Sequence, residues 1–284
     1  MRIATLLLYC AFLLRPLGAA DSWFFVQMSD PQFGMYTENR DFAQETANFE
    51  FAVATVNRWK PAFVVITGDL INKAGDPAQS AEYHRIAARL DRSIPLYNVA
   101  GNHDVTNNPT RESLAAYRER FGPDYYTFRS GNLAGFILNS SIIQHPEAVR
   151  DEYDKQLKWL RSELDKARKD GVAHLVVFQH IPFFLKSPDE PDQYFNIPLE
   201  QRKEYLAVLH EYGVHNVIAG HYHRNAVGVD GSLMMITSGP VGKPVEEGES
   251  GMRIAIVSDK VIRTDYVTFS RLPNRVDPAK PLPQ

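Results

Sequence analysis

The sequence predicts an α/β fold, because short apolar runs alternate with helical patterns and polar residues stand where the runs end. Three apolar runs, at 23–28, 63–67 and 95–99, have the length and the β-branched content of buried strands. Between them, residues 41–59 carry apolar side chains near helical spacing, and residues 78–90 also favour a helix. This order indicates βαβ units, in which ligands bind at the carboxyl ends of the strands.

The second half of the chain predicts further elements and ends in meander-like β-structure. Residues 126–129 and 134–139 can pair around a Gly-Asn turn at 131–132. The remaining predictions, in chain order, are a charged helix at 151–169, a strand at 174–178, a helix near 200–212, a strand at 216–219, and short strands near 226–229, 233–237, 252–257 and 261–268. We find no internal repeat, and α/β folds of this length often form a single unit. We therefore expect one domain, residues 21–272.

The two ends of the chain are predicted to lie outside that domain. Residues 1–20 have the layout of a secretory signal peptide: Arg2, then an apolar run from Ile3 to Leu14, then small residues up to Ala20. The alternative is an uncleaved anchor, but the run is shorter than the ~20 residues of a spanning helix. We expect cleavage after Ala20, export to the periplasm or the medium, and no transmembrane segment in the mature form. Residues 273–284, rich in proline, predict a loosely attached tail.

Composition excludes several kinds of site. The formal net charge is −3, and the loss of Arg2 and Arg15 with the signal peptide makes it −5. No polybasic signal therefore argues for nucleic acid or an anionic membrane surface. Cys10 is the only cysteine and lies within the predicted signal peptide. The mature protein is thus expected to use no disulfide, thiolate metal ligand or cysteine nucleophile.

Candidate ligands stand in five loops, each directly after a predicted strand. They are Asp30; Asp69; Asn102 with His103 and Asp104; His180; and His221 with His223. Each residue alone is weak support, since an Asp after Gly is also an ordinary turn residue. Together, carboxylate, amide oxygen and imidazole suit divalent Mn, Fe, Zn or Ni. Two such ions ~3.5–4 Å apart require a bridging carboxylate and terminal ligands on each side, and this set can supply both.

The order of these motifs resembles the calcineurin-like metallophosphoesterase superfamily. Ser-Asp-Pro-Gln at 29–32, Gly-Asp at 68–69, Gly-Asn-His-Asp at 101–104, His180 and Gly-His-Tyr-His at 220–223 follow its signature. The segments at 29–34, 177–182 and 220–225 look similar to the calcineurin-like phosphoesterase domain-containing branch, which has serine/threonine protein phosphatases among its members. The resemblance implies a four-layer sandwich of two mixed β-sheets flanked by helices, with a metal site at the strand carboxyl ends. It also implies that residues 21–272 form one such domain.

The resemblance also implies a role for each matched residue. Asp69 would bridge two divalent ions. Asp30 and His223 would bind the first ion, and Asn102, His180 and His221 would bind the second. His103 would protonate the leaving alkoxide or stabilise the phosphoryl oxygens, and Asp104 would orient His103 by accepting its ring proton. A hydroxide bound between the metals would attack phosphorus in line with the leaving group.

One position departs from the superfamily pattern. The superfamily usually has His two residues after the first Asp, and here that residue is Gln32. An amide oxygen is a poorer ligand than imidazole for these metals. Gln32 either binds the first ion weakly, acts through a water, leaves the position open, or only hydrogen-bonds its own loop. The second metal position is unaffected, because all of its ligands are present.

Function is predicted as hydrolysis of a phosphate monoester or diester, with a phosphoester as the expected partner and the oligomeric state left open. A non-catalytic binding module that kept the fold is the alternative, favoured only by Gln32. A purple-acid-type site is excluded. Such a site would use a tyrosinate ligand on Fe(III) from a Gly-Asp-x-x-Tyr arrangement, and residue 72 here is Asn. The stretch from Phe183 to Phe195 is either a mobile lid or a solvated loop. Arg224 and Asn225 are candidate phosphate contacts.

Overall fold

The computed structural model describes residues 22–280. The predicted signal peptide, residues 1–20, and the last four residues of the predicted tail lie outside this range. No helix between residues 22 and 280 combines the length and the apolar character needed to cross a bilayer.

The first sheet has five strands and contains the three apolar runs of the N-terminal half. Its strands, in spatial order, are β11 (Ile262–Thr268), β10 (Gly251–Val257), β1 (Trp23–Met28), β2 (Val64–Ile66) and β3 (Leu96–Asn98). β1, β2 and β3 are parallel, with Val26 opposite Val64 and Val64 opposite Leu96. β10 pairs antiparallel with both β1 and β11, so the sheet is mixed, as predicted.

The second sheet has six strands and is also mixed. Its strands, in spatial order, are β4 (Tyr126–Ser130), β5 (Leu133–Ile137), β6 (His174–Phe178), β7 (Asn216–Ala219), β9 (Leu233–Thr237) and β8 (Ala226–Asp230). β5, β6, β7 and β9 are parallel, whereas β4 and β8 are antiparallel edge strands. Every strand that the sequence predicts is therefore present, within a few residues of its predicted bounds.

Helices cover the outer faces of the two sheets. They are α1 (Ala43–Trp59), α2 (Pro77–Ala87), α3 (Asn102–Val105), α4 (Arg111–Phe121), α5 (Ser140–Gln144), α6 (Arg150–Lys169) and α7 (Leu199–Glu211), and a 3₁₀ turn follows at Phe269–Arg271. The sequence predicts α1, α2, α6 and α7. It does not predict α3, α4 or α5, of which two have only four and five residues.

The alternation of side chains along the strands builds the four layers. In β1, Phe24 and Met28 join the core shared with the helices, whereas Phe25 points the other way, into the core between the sheets. Phe25 stacks on Phe63 with ring centroids 4.6 Å apart, and Phe178 of the second sheet meets Phe25 edge-on at 5.8 Å. Two sheets packed face to face and flanked by helices confirm the predicted four-layer sandwich.

The start of the predicted tail packs against α1. The indole N–H of Trp59 donates to the carbonyl of Pro273 at 2.9 Å, and Arg58 donates to the carbonyl of Asn274 at 3.2 Å. Val276 is buried. These contacts extend four residues beyond the predicted domain boundary at residue 272.

The topology brings the candidate loops together. Because β1, β2 and β3 are parallel, their carboxyl ends lie at one edge of the first sheet, and β6 and β7 end together in the second sheet in the same way. Hydrogen bonds join the two edges: the His180 ring donates from Nδ1 to the Thr67 carbonyl at 2.8 Å, and His221 N–H donates to Oδ2 of Asp30 at 3.2 Å. One site thus collects side chains from both sheets.

Candidate metal centre

Two groups of three buried side chains share one carboxylate at this edge. One group is Asp69, His180 and His221, and the other is Asp30, Asp69 and His223. Within each group, one ligand atom per residue lies within 4.8 Å of the others. Asp69 belongs to both groups, which is the arrangement that two ions sharing a bridging carboxylate require.

Backbone strain is concentrated at the candidate ligands. Five of them have φ between +43° and +67°, in the left-handed region that residues with a Cβ avoid. They are Asp30, Gln32, Asp69, His221 and His223. Each such conformation costs about 1–3 kcal/mol, and strain of this kind clusters where side chains are aimed at a ligand. The loops are therefore shaped to direct these side chains, at some expense in stability.

Glycine precedes several candidate ligands because the loops touch there. A Cβ on Gly101 would lie 2.1 Å from the backbone nitrogen of Asp69. A Cβ on Gly220 would lie 1.8 Å from the hydroxyl of Ser29. Side chains at these positions would separate the loop after β2 from the loop after β3, and the second sheet from the first.

His180 and Asn102 face the position predicted for the second ion. The Nδ1–H of His180 donates to the carbonyl of Thr67 at 2.8 Å, which leaves Nε2 as the nitrogen with a lone pair. That Nε2 lies 3.2 Å from Oδ2 of Asp69 and 2.9 Å from Oδ1 of Asn102. Three acceptor atoms of a neutral imidazole, a carboxylate and an amide therefore converge, and such a cluster requires a proton or a metal ion between them.

Backbone carbonyls select the ligand nitrogen of the other two histidines. His221 donates its Nε2–H to the carbonyl of Tyr194 at 3.0 Å, leaving Nδ1 free. His223 donates its Nδ1–H to the carbonyl of Lys243 at 2.6 Å, leaving Nε2 free. That Nε2 lies 3.2 Å from Oδ1 of Asp30, so two acceptors again face each other.

A chain of side-chain amides fixes the orientation of Gln32. The backbone N–H groups of Asn72 and Lys73 donate to Oε1 of Gln79, so Nε2 of Gln79 must be the donor to Oδ1 of Asn39. The same oxygen accepts Nδ2–H of Asn72 at 2.8 Å, so Oδ1 of Asn72 must accept from Nε2 of Gln32 at 3.2 Å. The free atom of Gln32 is therefore its oxygen.

Two buried oxygens of this centre have no hydrogen-bond donor among the described residues. They are Oδ1 of Asp30 and Oε1 of Gln32, on residues that are 0% and 2% exposed. An unpaired buried carboxylate is costly, and a bound cation removes that cost. The donor set of this centre therefore fits divalent metal ions. It holds carboxylate, amide and imidazole atoms and no thiolate, as the sequence predicts for Mn, Fe, Zn or Ni.

The buried groups shift one another's pKa. Burial lowers the pKa of His180, but the charges of Asp69 and Asp30 more than offset burial and raise it to about 9. Burial and the nearby His180 lower the pKa of His221 to about 4. Burial opposes ionisation of Asp69, yet His180 and His103 hold its pKa well below the usual range. The carboxylates thus favour positive charge among them, which a divalent ion supplies on displacing the proton.

Comparison with known proteins decides the family. A model of the calcineurin-like phosphoesterase family matches residues 25–225. The chain belongs to the calcineurin-like phosphoesterase family. It is 35% identical over 268 residues to the bovine (Bos taurus) serine/threonine-protein phosphatase CPPED1, an alignment that covers 88% of this chain and 85% of that protein. The resemblance stated from the motifs, including its branch, is confirmed.

Solved structures share the fold at low sequence identity. The purple acid phosphatase PPD1 of yellow lupin (Lupinus luteus) superposes with a TM-score of 0.68 at 13% identity, covering 88% of this chain and 52% of that one. A dimetal phosphatase of Danio rerio gives 0.60 at 18% identity, covering 85% and 98%. Family membership makes the chain a phosphoester hydrolase, and the fold implies divalent metal ions.

In this phosphoesterase, His103 lies beside the metal centre and is half-buried. Its backbone N–H donates to Oδ1 of Asp69 at 2.9 Å. Its ring Nδ1 lies 2.7 Å from the carbonyl of Asn72, so Nδ1–H donates there and Nε2 is left unengaged. The ring is thus held by a backbone carbonyl, and one nitrogen remains for a substrate.

The orienting role predicted for Asp104 is wrong. Its carboxylate accepts the backbone N–H groups of Gly101 at 2.8 Å, Ile71 at 3.1 Å and Leu70 at 3.2 Å. Burial and the neighbouring charge of Asp69 raise the pKa of Asp104 to about 7. Asp104 therefore ties the loop after β2 to the loop after β3, and does not contact the His103 ring.

Arg224 and Asn225 line a groove of about 400 Å³ that opens beside His223. Arg224 is paired with the carboxylate of Glu246 at 2.5 Å. Asn225 accepts a hydrogen bond from the buried guanidinium of Arg253 at 2.9 Å through its side-chain oxygen. Both side chains are engaged by other residues, and their predicted phosphate contact stays a prediction.

Among the residues that escape sequence reasoning are two that hold site histidines through their backbone carbonyls. The carbonyl of Asn72 holds His103, and the carbonyl of Tyr194 holds His221. A backbone carbonyl carries no residue-type signal, and neither residue belongs to a motif that marks it. Only the proximity of Asn72 to Asp69 in the sequence points to the first of these contacts.

Proposed function

We propose that this phosphoesterase hydrolyses phosphate monoesters at a centre of two divalent ions bridged by Asp69. The observation that carries the proposal is that Asp69 belongs to both three-residue groups. Asp30 and His223, with the oxygen of Gln32, would bind the first ion. Asn102, His180 and His221 would bind the second. The converging lone pairs at both positions support this assignment.

The ions, when bound, would supply an activated water and offset the charge of the phosphoryl group. Proton donation to the leaving group and orientation of the metal-facing histidines would be carried out by residues of the chain. His103 would donate a proton from Nε2 to the leaving oxygen, since the Asn72 carbonyl already holds its Nδ1–H. Thr67, Tyr194 and Lys243 fix the tautomers of the three metal-facing histidines through their carbonyls.

The proposed substrates are alkyl monoesters such as phosphoserine and phosphothreonine. Relatives at 35% and 36% identity, from Bos taurus and Mus musculus, carry the name serine/threonine-protein phosphatase. A general acid beside the metals suits an alkyl ester, because an alkoxide is a strongly basic leaving group that needs a proton.

The test is a substrate screen on protein lacking residues 1–20, with metal content measured on the same sample. We expect bound divalent metal, turnover of a phosphoserine peptide and of 4-nitrophenyl phosphate, and loss of both activities in a chelator with recovery in Mn²⁺. Faster turnover of bis(4-nitrophenyl) phosphate than of either monoester would make the protein a diesterase. Bound metal without turnover of any ester would favour the alternative, a non-catalytic binding module.

We also propose that the protein is exported after cleavage behind Ala20. The support is the charge, apolar run and small residues of positions 1–20. N-terminal sequencing of protein from the periplasm or the medium should begin at Asp21. Intact Met1 on cytosolic protein would contradict export. Export would restrict the substrates to phosphoesters outside the cytosol.

A further inference from the structure

The loop between β6 and α7 is tethered by a fully buried arginine. Nε and Nη2 of Arg202 both donate to the carbonyl of Ile197, at 3.0 and 2.8 Å. Nη1 donates to the carbonyls of Pro188 and Glu190, each at 2.9 Å. A buried guanidinium is costly unless its donors are satisfied, and here the loop backbone satisfies them. The segment Phe183–Phe195 is therefore anchored through its backbone, while residues 191–194 within it are exposed to solvent, as expected for a solvated loop.

Side chains within the same loop reinforce the tether. The carboxylate of Glu190 accepts the backbone N–H groups of Leu185 and Lys186, each at 2.8 Å. Asn196 donates to that carboxylate at 2.8 Å and to the carbonyl of Pro191 at 3.0 Å. The loop conformation is thus set by bonds on both sides of Tyr194.

This fixed loop places Tyr194 over the second metal position. Its carbonyl accepts Nε2–H of His221, and its ring lies 4.9 Å from the ring of the same histidine. Tyr194 is nevertheless 55% exposed, among the most exposed of the large hydrophobic residues between 22 and 280. The ring of Tyr194 packs against the rings of Phe195 and His221, at 5.1 and 4.9 Å between centroids, and the rest of its surface is open to solvent beside the candidate metal centre.

The directions of the hydrogen bonds around Tyr194 leave its hydroxyl hydrogen without an acceptor in the part of the chain that the structure describes. Asn102 directs its Oδ1 to Nε2 of His180, so its Nδ2 carries the donors. One of these goes to Oδ1 of Asn107 at 2.6 Å, and the other points to the hydroxyl oxygen of Tyr194 at 3.4 Å. The Tyr194 hydroxyl is thus an acceptor toward Asn102. Its own hydrogen has no acceptor among residues 22–280.

We propose that Tyr194 contacts the substrate, donating its hydroxyl hydrogen to a phosphoryl oxygen and packing its exposed ring against the leaving group. The inference rests on the proposed phosphoester hydrolysis and adds a residue that the family signature does not include. A donor held at the mouth of the centre would bind a dianionic phosphoryl group.

Tyr194→Phe tests the hydroxyl, because it removes the donor and keeps the ring and the backbone carbonyl that holds His221. We expect kcat/KM on phosphomonoesters to fall roughly 10- to 100-fold, the size of one hydrogen bond to a charged group. Inhibition by inorganic phosphate should weaken by a similar factor. Metal content should stay at the wild-type value, since no proposed ligand changes.

Tyr212→Phe is the matched control. Tyr212 follows α7 and precedes β7, so it lies at the opposite end of the second sheet from the metal centre. This variant also loses one tyrosine hydroxyl, and its kcat/KM, phosphate inhibition and metal content should all match the wild type. Tyr194→Leu, which removes the ring as well, should additionally raise KM for aryl esters above that of Tyr194→Phe.

Calorimetry of inorganic phosphate binding to the metal-loaded protein distinguishes failure of the Tyr194 contact from failure of the proposed hydrolysis. If the wild type hydrolyses no phosphoester, the proposed function fails, and weaker phosphate binding by Tyr194→Phe would still support the contact. Wild-type phosphate affinity and wild-type kcat/KM in Tyr194→Phe would overturn the inference. Loss of metal in Tyr194→Phe would also overturn it, because the hydroxyl would then be positioning Asn102.

Discussion

The two proposed metal positions differ in the atoms that face them and in how those atoms are held. The second position has two imidazoles, from His180 and His221, with the amide oxygen of Asn102. The first position has one imidazole, from His223, with the carboxylate of Asp30 and the orphaned oxygen of Gln32. Only Asp69 is common to both.

This difference predicts that the two positions bind metal with unequal affinity. Imidazole binds Zn, Fe and Ni more strongly than an amide oxygen does, whereas oxygen-rich sites suit Mn. The second position should therefore fill first, and the first position should be the one that empties on dilution. One protein would then pass through a half-loaded state, and the two positions can be separated by mutation.

The largest effect should come from Asp69→Asn. The variant weakens the one carboxylate that both positions share, so we expect it to lose metal from both. Hydrolysis should fall by at least ~10³-fold, since each ion supplies several kcal/mol of charge stabilisation. Elemental analysis and steady-state kinetics on the same samples measure both losses.

Asp30→Asn and His221→Asn are the matched controls for Asp69→Asn. Each variant alters a proposed ligand of one metal position only. Each should therefore lose metal from that position and keep it in the other. Wild-type stoichiometry in Asp69→Asn, or loss of both ions in either control, would remove the bridging assignment.

His103→Gln should keep both ions and lose roughly 10²–10⁴-fold in kcat, the contribution of a general acid. The loss should be large on a phosphoserine peptide and smaller on 4-nitrophenyl phosphate, whose leaving group is stable without a proton. Equal losses on the two substrates, with metal retained, would mean that His103 stabilises phosphoryl charge and is not a proton donor.

Gln32→His should reduce the difference in metal affinity between the two positions. Imidazole is the better donor for these ions, so affinity at the first position should rise by roughly tenfold. Gln32→Leu, which removes the oxygen, should lower it. Titration calorimetry with Zn²⁺ gives the affinity of the first position in both variants. Unchanged affinity in both variants would show that the free oxygen of Gln32 does not face an ion.

The smallest effect on turnover should come from Asp104→Asn. The carboxylate accepts three backbone N–H groups, so the variant should lose about 1–3 kcal/mol of unfolding free energy. The dependence of kcat on the leaving group should not change, because Asp104 does not contact His103. A denaturant midpoint and the two-substrate comparison measure these quantities. Loss of the leaving-group dependence would restore the orienting role.

The sequence predicts which side chains gather at this centre, because they follow apolar runs whose parallel strands must end at one edge. The prediction fails for Asp104, since residues 102–105 form a helical turn and neighbours in sequence do not face each other on a helix. The partner of His103 is instead a carbonyl, which no residue type predicts.

The missed helices have two different causes. α5 has five residues, too few to show a helical period. α4 has eleven and carries a usable signal, a Thr110 cap that accepts from the backbone of Ser113. Tyr194 is beyond sequence reasoning altogether, because it reaches Asn102 from 92 residues away through a loop that a buried arginine holds.

Anomalous diffraction from crystals of the Mn²⁺-loaded protein tests the two-ion centre most directly. We expect two peaks ~3.5–4 Å apart, the spacing of a bridged pair. Asp69 should contact both, with Asp30 and His223 on one peak and His180 and His221 on the other. In crystals given limiting Zn²⁺ instead, the peak beside His180 should be the stronger. A single peak at saturating Mn²⁺, or two peaks with Asp69 bound to only one, would contradict the account.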